Sequence, residues 1–288
     1  MKVTLIEANT DLGVKVDGAN LGPHVLSEHF KNKYDIKVVN KPDIPKERER
    51  KNRKKNLEGV NIFDEELYHL VLSLKRENIF PLTLGGDHTI AIASALASIK
   101  HEDSLGVIWI DAHADYNTFE TTITGNLHGL PLAANNGRCK DLTKFHDGNY
   151  YKNVNTVIVG GRDIDDWELP NLQKDNIKVF STDDIHKYGA KEIMRQAFEL
   201  ATKDTNGVHI SYDLDVIDPL LAPGVSVPAV SGISVDEAYE ITDFIIDNKD
   251  KVKSLDLVEY NPTRDINHVT EYIAVNIIEK IADNFSQK

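Results

Sequence analysis

The chain has 288 residues, enough for one large domain or two small ones, and 41% apolar with 27% charged residues describes an ordinary globular protein. A formal net charge of −13 argues against nucleic acid as the main partner, because phosphate binding needs a basic surface. The single cysteine, Cys139, excludes an internal disulfide, and its Gly137-Arg138-Cys139-Lys140 setting reads as a loop without a nucleophile motif. Met1–Glu7 reaches an acid after a short apolar run, so it reads as a strand and not as a signal peptide. No apolar run approaches the ~18–20 residues of a membrane span. These features predict a cytoplasmic protein with no membrane partner.

In chain order, β-branched runs predict strands at Val3–Ala8, Ile36–Asn40, Phe80–Leu84, Leu105–Asp111, Thr156–Gly160, Lys178–Ser181, Val208–Asp213 and Ser254–Glu259. The apolar run Gly106-Val107-Ile108-Trp109-Ile110 predicts burial on both faces of a parallel sheet. Asp64–Arg76 carries Leu67, Leu70, Val71 and Leu74 on one helical stripe, and a second helix is expected over Asp184–Thr202 behind the cap-like Thr182-Asp183. Ser234 and Glu237 have capping-box spacing and open a helix through Ile245; His268–Phe285 closes the chain as a long amphipathic helix. Such alternation predicts one doubly wound α/β domain. The basic run Lys46–Lys55 is interleaved with Glu47 and Glu49, which favours a solvated loop or short helix over a nucleic-acid patch.

Ligands of an open parallel sheet bind at the carboxyl ends of its strands. Polar clusters follow apolar strands at Gly85-Gly86-Asp87-His88, at Asp111-Ala112-His113-Ala114-Asp115 and at Asp213-Leu214-Asp215, and Glu259 ends another strand. Each cluster alone is commonly a cap or turn; three together are a different matter. Residues two apart on extended backbone point the same way, so Asp111, His113 and Asp115 are expected in one row and Asp213 and Asp215 in another. Carboxylates gathered at one dry sheet edge must bind protons or cations. Two divalent ions balance four Asp ligands, and oxygen with imidazole donors and no thiolate suits Mn²⁺.

Gly85-Gly86-Asp87-His88-Thr89, Trp109–Asp115 and Ser211–Pro219 resemble the three signature segments of the ureohydrolase family, which contains arginase, agmatinase and formiminoglutamase. The resemblance runs across nearly the whole chain and is nearest to arginase. It implies a three-layer α/β fold with a parallel sheet of about eight strands, spanning 1–288 as a single domain. It implies two Mn²⁺ ions, one on His88, Asp111, Asp115 and Asp213, the other on Asp111, His113, Asp213 and Asp215.

The loop Asn117–Gly129 resembles the arginase version, which implies that Asn117, Thr122 and Thr124 hold a substrate α-carboxylate. Asp165 and Glu168 match positions expected at the α-ammonium, although an acidic helix N-terminus alone would also account for them. Glu259 matches the guanidinium partner, and His128 the proton shuttle. Gly224-Val225-Ser226-Val227-Pro228 departs from the animal-type pattern in placing Val225 where a hydroxyl stands, as bacterial-type arginases also do. The implied reaction is hydrolysis of L-arginine to L-ornithine and urea by a metal-bridging hydroxide, with Asp115 accepting a proton. Agmatine, formiminoglutamate or another guanidino acid is the alternative substrate. A homo-oligomer, trimer or hexamer, is the implied assembly.

Overall fold

The computed structural model describes residues 2–47 and 53–286. Eight strands form one wholly parallel sheet: β1 Lys2–Asn9, β2 Asp35–Asn40, β3 Ile79–Gly85, β4 Gly106–Ile110, β5 Thr156–Gly161, β6 Lys178–Ser181, β7 Val208–Asp213 and β8 Val252–Val258. Their spatial order is β2-β1-β3-β8-β7-β4-β5-β6. The last two strands in sequence therefore lie between β3 and β4, and the carboxyl ends of all four meet at one edge. Two strands stop earlier than their sequence patterns predict. Asp111 and Glu259 stand just past the ends of β4 and β8, where the backbone is free to turn.

Period-2 alternation divides the strands between two cores. Ile108 and Ile110 of β4 enter one core, with Leu255 and Leu257 of β8; Val107 and Trp109 enter the other. The first core is covered by α1 Gly22–Glu28, α6 Thr182–Tyr188, α7 Ala190–Ala201, α8 Val235–Asp247 and α9 Val269–Ser286. The second is covered by α2 Leu57–Arg76, α3 Ile90–Glu102, α4 Pro131–Asn135 and α5 Leu169–Asp175. Helix, sheet and helix make three layers, as expected of a doubly wound α/β fold.

Several helices differ from the sequence expectation. The predicted Asp184–Thr202 helix is two helices, broken at Gly189, whose φ of 88° and ψ of 144° lie outside helical space. Its cap is Ser181, not Thr182-Asp183: Ser181 accepts from the Asp184 backbone and Asp184 accepts from Ser181 in return. Helix α3 lacks an amphipathic stripe because Ile90 through Ile99 are all buried. Of the basic run, residues 48–52 lie outside the described residues. Its ends are pinned rather than solvated, since Lys46 pairs with Asp17 at 3.1 Å and Lys55 is buried. Among the described residues no helix is long and apolar enough to cross a membrane.

Asp64 of α2 is fully buried, and neither carboxyl oxygen has a hydrogen-bond partner among the described residues. Burial, with Asp87 adding repulsion, pushes its carboxyl well above the usual range. A carboxyl whose pKa is raised by folding favours the folded state at low pH; that contribution is lost as pH climbs from the ordinary carboxylate range through the raised value. Asp64→Asn is neutral at every pH. We expect thermal melts of wild type and variant to coincide near about pH 4 and the variant to melt higher near about pH 8. Equal melting at both would count against an ionising carboxyl at this position.

Candidate active site

The carboxyl ends of β3, β8, β7 and β4 converge on a buried floor of acids and imidazoles. His88 Nδ1 lies 3.2 Å from Asp111 Oδ2, 3.2 Å from Asp115 Oδ2 and 3.0 Å from Asp213 Oδ2. His113 Nδ1 lies 3.0 Å from Asp215 Oδ2 and 3.4 Å from Asp111 Oδ1. Two groups have ligand atoms close enough to share a cation: His88 with Asp111 and Asp213, and Asp111 with His113 and Asp215. Asp111 belongs to both. Asp213 belongs only to the first, and its Oδ1 accepts from the Asp215 backbone at 2.8 Å. Asp115 belongs to neither, yet it reaches the same His88 nitrogen.

The convergence has a different origin from the extended rows expected. Strand β4 ends at Ile110, and Asp115 adopts a left-handed φ of 47°. Asp213 ends β7 while Asp215 sits in a 3₁₀ turn over Leu214–Val216. Turns, not the pleat, aim these side chains. Non-glycine residues in the left-handed region carry strain of order 1–3 kcal/mol and persist where the surroundings over-determine them. Glu259, with φ of 68°, is another such residue at this edge.

Neighbouring groups fix the floor. The His88 ring stacks on Trp109 at 4.0 Å between centroids, and its Nε2 lies 2.8 Å from Ser211 Oγ. Trp109 Nε1 donates to Asp111 Oδ2 at 2.8 Å. Asp87 accepts from the backbones of Gly13 and Thr89 at 2.9 Å each, so it anchors the loops and is not among the grouped ligands. Gly86 is required by close approach: a Cβ there would stand 1.8 Å from the Thr10 carbonyl oxygen. Glu259 Oε1 accepts from the His88 backbone at 2.9 Å and lies 3.3 Å from His128 Nδ1, while its Oε2 has no partner among the described residues.

These donors fit divalent cations. Nitrogen and oxygen are present without sulfur; Cys139 is buried elsewhere and its thiol is pushed up to about 12, chiefly by burial. His88 Nδ1 faces three carboxylate oxygens but has no hydrogen-bond partner among the described residues. The electrostatics show the same lack of compensation. Burial, then neighbouring carboxylates, raises Asp213 well above the usual range, raises Asp115, and lifts Asp215 to about 6 despite His113. Burial opposes a charge on His88, yet Asp111, Asp115 and Asp213 outweigh it and raise its pKa well above normal. Burial likewise tends to raise Asp111, but His113 and His88 hold it low.

Above the floor is a cavity of about 230 Å³. One wall is acidic, formed by Asp163, Asp165 and Glu168. Glu168 is buried and accepts from the Tyr116 and Asp165 backbones at 2.7 and 3.0 Å. Burial and then Asp115 push it up to about 8. Thr122, Thr124, Asn126 and His128 also line the cavity. Thr122 Oγ1 accepts from the Gly125 backbone at 3.1 Å and Thr124 Oγ1 from the Asn126 backbone at 3.2 Å. Each hydroxyl keeps its hydrogen to donate. Asn117 is a further lining residue, and its Nδ2 donates to Asp165 Oδ2 at 3.1 Å. Asn126 and Asp163 line the cavity without having been singled out from sequence; Asn126 stood in the same polar loop and was the more findable of the two.

Residues 1–282 match the Arginase family. The chain is 35% identical to the arginase of Bacillus subtilis (strain 168), with 97% of each chain covered. It is 35% identical to the arginase of Staphylococcus aureus (strain MRSA252), covering 96% of this chain and 95% of that one. Among solved structures, Entamoeba histolytica arginase in complex with L-ornithine superposes with a TM-score of 0.90 at 29% identity, covering 98% of this chain and 97% of that one. The crystal structure of Bacillus subtilis arginase superposes with a TM-score of 0.84 at 33% identity over 100% and 99%.

Ligand protonation sets how metal removal will read out. Without cations, the raised Asp215 and Glu168 favour folding while protonated, and this contribution is lost as pH rises from about 4 to about 8. Cations bind the deprotonated ligands more tightly over the same range. Chelator-treated protein is expected to melt lower at about pH 8 than at about pH 5, and Mn²⁺ to raise the melting temperature more at the higher pH. A metal increment independent of pH would contradict this linkage.

Proposed function

Since the chain belongs to the arginase family, we propose that it hydrolyses L-arginine to L-ornithine and urea, with residues 1–288 acting as one arginase-like domain. The observation that carries the proposal is a cavity lined both by acids and by hydrogen-bond donors, above a floor of crowded carboxylates and imidazoles. An α-amino acid presents an ammonium and a carboxylate at one end, and such a cavity matches both.

His88, Asp111, His113, Asp115, Asp213 and Asp215 are the residues proposed to hold two divalent cations, Mn²⁺ by donor chemistry. Such a pair would supply Lewis acidity that lowers the pKa of a bound water from 15.7 toward about 7. Asp165 and Glu168 receive the α-ammonium, while Asn117, Thr122 and Thr124 receive the α-carboxylate. Glu259, whose Oε2 is buried and unpartnered among the described residues, accepts from the guanidinium and orients its carbon over the floor. As a water oxygen adds to that carbon, Asp115 takes up the released proton. His128 delivers a proton to the departing amine nitrogen as the C–N bond breaks. Burial disfavours a charge on His128, but Glu259 prevails and keeps its pKa raised, which suits a proton donor. The same premise carries a homo-oligomeric assembly, trimer or hexamer.

The test is urea release from L-arginine by manganese-loaded protein, beside agmatine, formiminoglutamate and guanidinobutyrate. Asp115→Asn is expected to lower kcat at least about a hundredfold with an unchanged circular dichroism spectrum. Asp165→Ala is expected to raise KM for L-arginine about tenfold with little change in kcat. Normal turnover by Asp115→Asn, or faster wild-type turnover of a guanidino compound lacking the α-amino acid group, would overturn the reading.

A further inference from the structure

Three consecutive basic residues strap the donor-bearing wall of the cavity. Arg53 Nη1 donates to the Glu120 carbonyl, Lys54 Nζ lies 4.5 Å above the Phe119 ring, and Lys55 Nζ donates to Asn126 Oδ1 at 3.2 Å. Lys55 is 7% exposed, an unusual degree of burial for a lysine. The turn that carries it is held firmly. Asn56 takes a left-handed φ of 57° and donates from Nδ2 to the Leu12 carbonyl at 2.8 Å. The neighbouring Gly13 carbonyl accepts from the His128 backbone at 3.2 Å. Strap, cavity wall and His128 are thus tied through one loop.

An asparagine amide has an accepting end and a donating end, and a lysine can only donate. With Oδ1 turned to Lys55, Asn126 has its two Nδ2 hydrogens at the other end of the amide to donate. Thr122 and Thr124 each accept from a backbone N–H and keep a hydroxyl hydrogen to donate. We propose that Lys55 is a positioning residue for substrate selection: it fixes the amide polarity of Asn126 and places a buried positive charge behind the α-carboxylate subsite. The inference rests on the reading that an α-amino acid occupies this cavity. The neutral wall consequently acts with a cation one hydrogen bond behind it. Guanidino compounds with an α-carboxylate are favoured over decarboxylated ones by this charge as well as by the donors.

The experiment compares manganese-loaded wild type, Lys55→Met and Lys55→Gln. It measures kcat and KM for L-arginine, and inhibition constants for L-ornithine and agmatine. Methionine keeps the length and removes donor and charge; glutamine keeps a donor without charge. In Lys55→Met, KM for L-arginine and the inhibition constant for L-ornithine are both expected to rise about tenfold. Over the same substitution kcat and the agmatine constant should stay within about twofold, and Lys55→Gln should fall between Met and wild type. A merely structural Lys55 would shift L-ornithine and agmatine together, and that result overturns the inference. So does a Lys55→Met variant with wild-type L-arginine KM, or a Lys55→Gln variant indistinguishable from wild type, which would remove any role for the charge. Should Lys55→Met fail to fold, the Lys55→Gln constants decide alone. Wild-type protein that neither hydrolyses L-arginine nor binds L-ornithine sinks the functional reading and this inference together; active wild type with unaltered discrimination in the variants sinks the inference only.

Discussion

Mutual repulsion among carboxylates confined to a dry sheet edge is the constraint on which the rest of this structure depends. Asp111, Asp115, Asp213 and Asp215 are each no more than 6% exposed, and they crowd two imidazole nitrogens. Two unit charges about 4 Å apart interact with about 4 kcal/mol at an effective dielectric of about 20, so a bare cluster cannot stay ionised without help. Protons can relieve it, as the raised Asp213 and Asp215 indicate, but a protonated acid is a poor ligand and a poor base. Cations on the candidate ligand groups would supply the compensating charge without that cost.

The scaffold accepts strain to maintain that crowding. Left-handed backbone at Asp115 and Glu259 brackets the cluster from β4 and β8, and Gly86 lets β3 run against the Thr10 carbonyl. These positions meet only because β7 and β8, the last strands in sequence, lie between β3 and β4. Until those strands insert, His88 and Asp111 have no Asp213 beside them and Glu259 has no His88 backbone to bind. Assembly of the site therefore depends on the most non-local pairings in the sheet, the ones whose loop-closure entropy is met latest.

Much of this was legible in the sequence because strand and motif are local signals. All eight strands were marked by β-branched runs, and the clusters after β3, β4 and β7 stood at carboxyl ends, where a parallel sheet presents ligands. The match to the arginase family over residues 1–282 agrees with the resemblance carried by those segments. What was hidden was hidden for physical reasons. Helix α3 is buried all round, so no periodic stripe announces it. The break at Gly189 interrupts a pattern that stays amphipathic on both sides. Aiming Asp115 by a left-handed turn cannot be read from a spacing that assumes extended backbone. Lys55 was the hardest, since composition makes a lysine in a basic run look solvated. Only a contact across 71 positions, to Asn126, reveals that it is buried.

The cavity also shows how a neutral surface acquires a direction. Hydroxyls and amides can donate or accept, and a wall built from them has no sign until something consumes one capacity. Here one acceptor lone pair is engaged on Thr122 by Gly125, on Thr124 by Asn126 and on Asn126 by Lys55, which orients each group and leaves its hydrogens to donate. In the same cavity, Asp165 and Glu168 offer oxygens that can only accept when ionised. Asn117 joins the two sides, donating to Asp165 while its own oxygen accepts from Thr121 at 2.9 Å. The result is a polarity across a cavity of about 230 Å³ set largely by hydrogen bonds beneath its surface. Selectivity of this kind resists changes that preserve those buried bonds, and it is vulnerable to changes that leave every cavity-lining residue intact but remove one of the groups behind them.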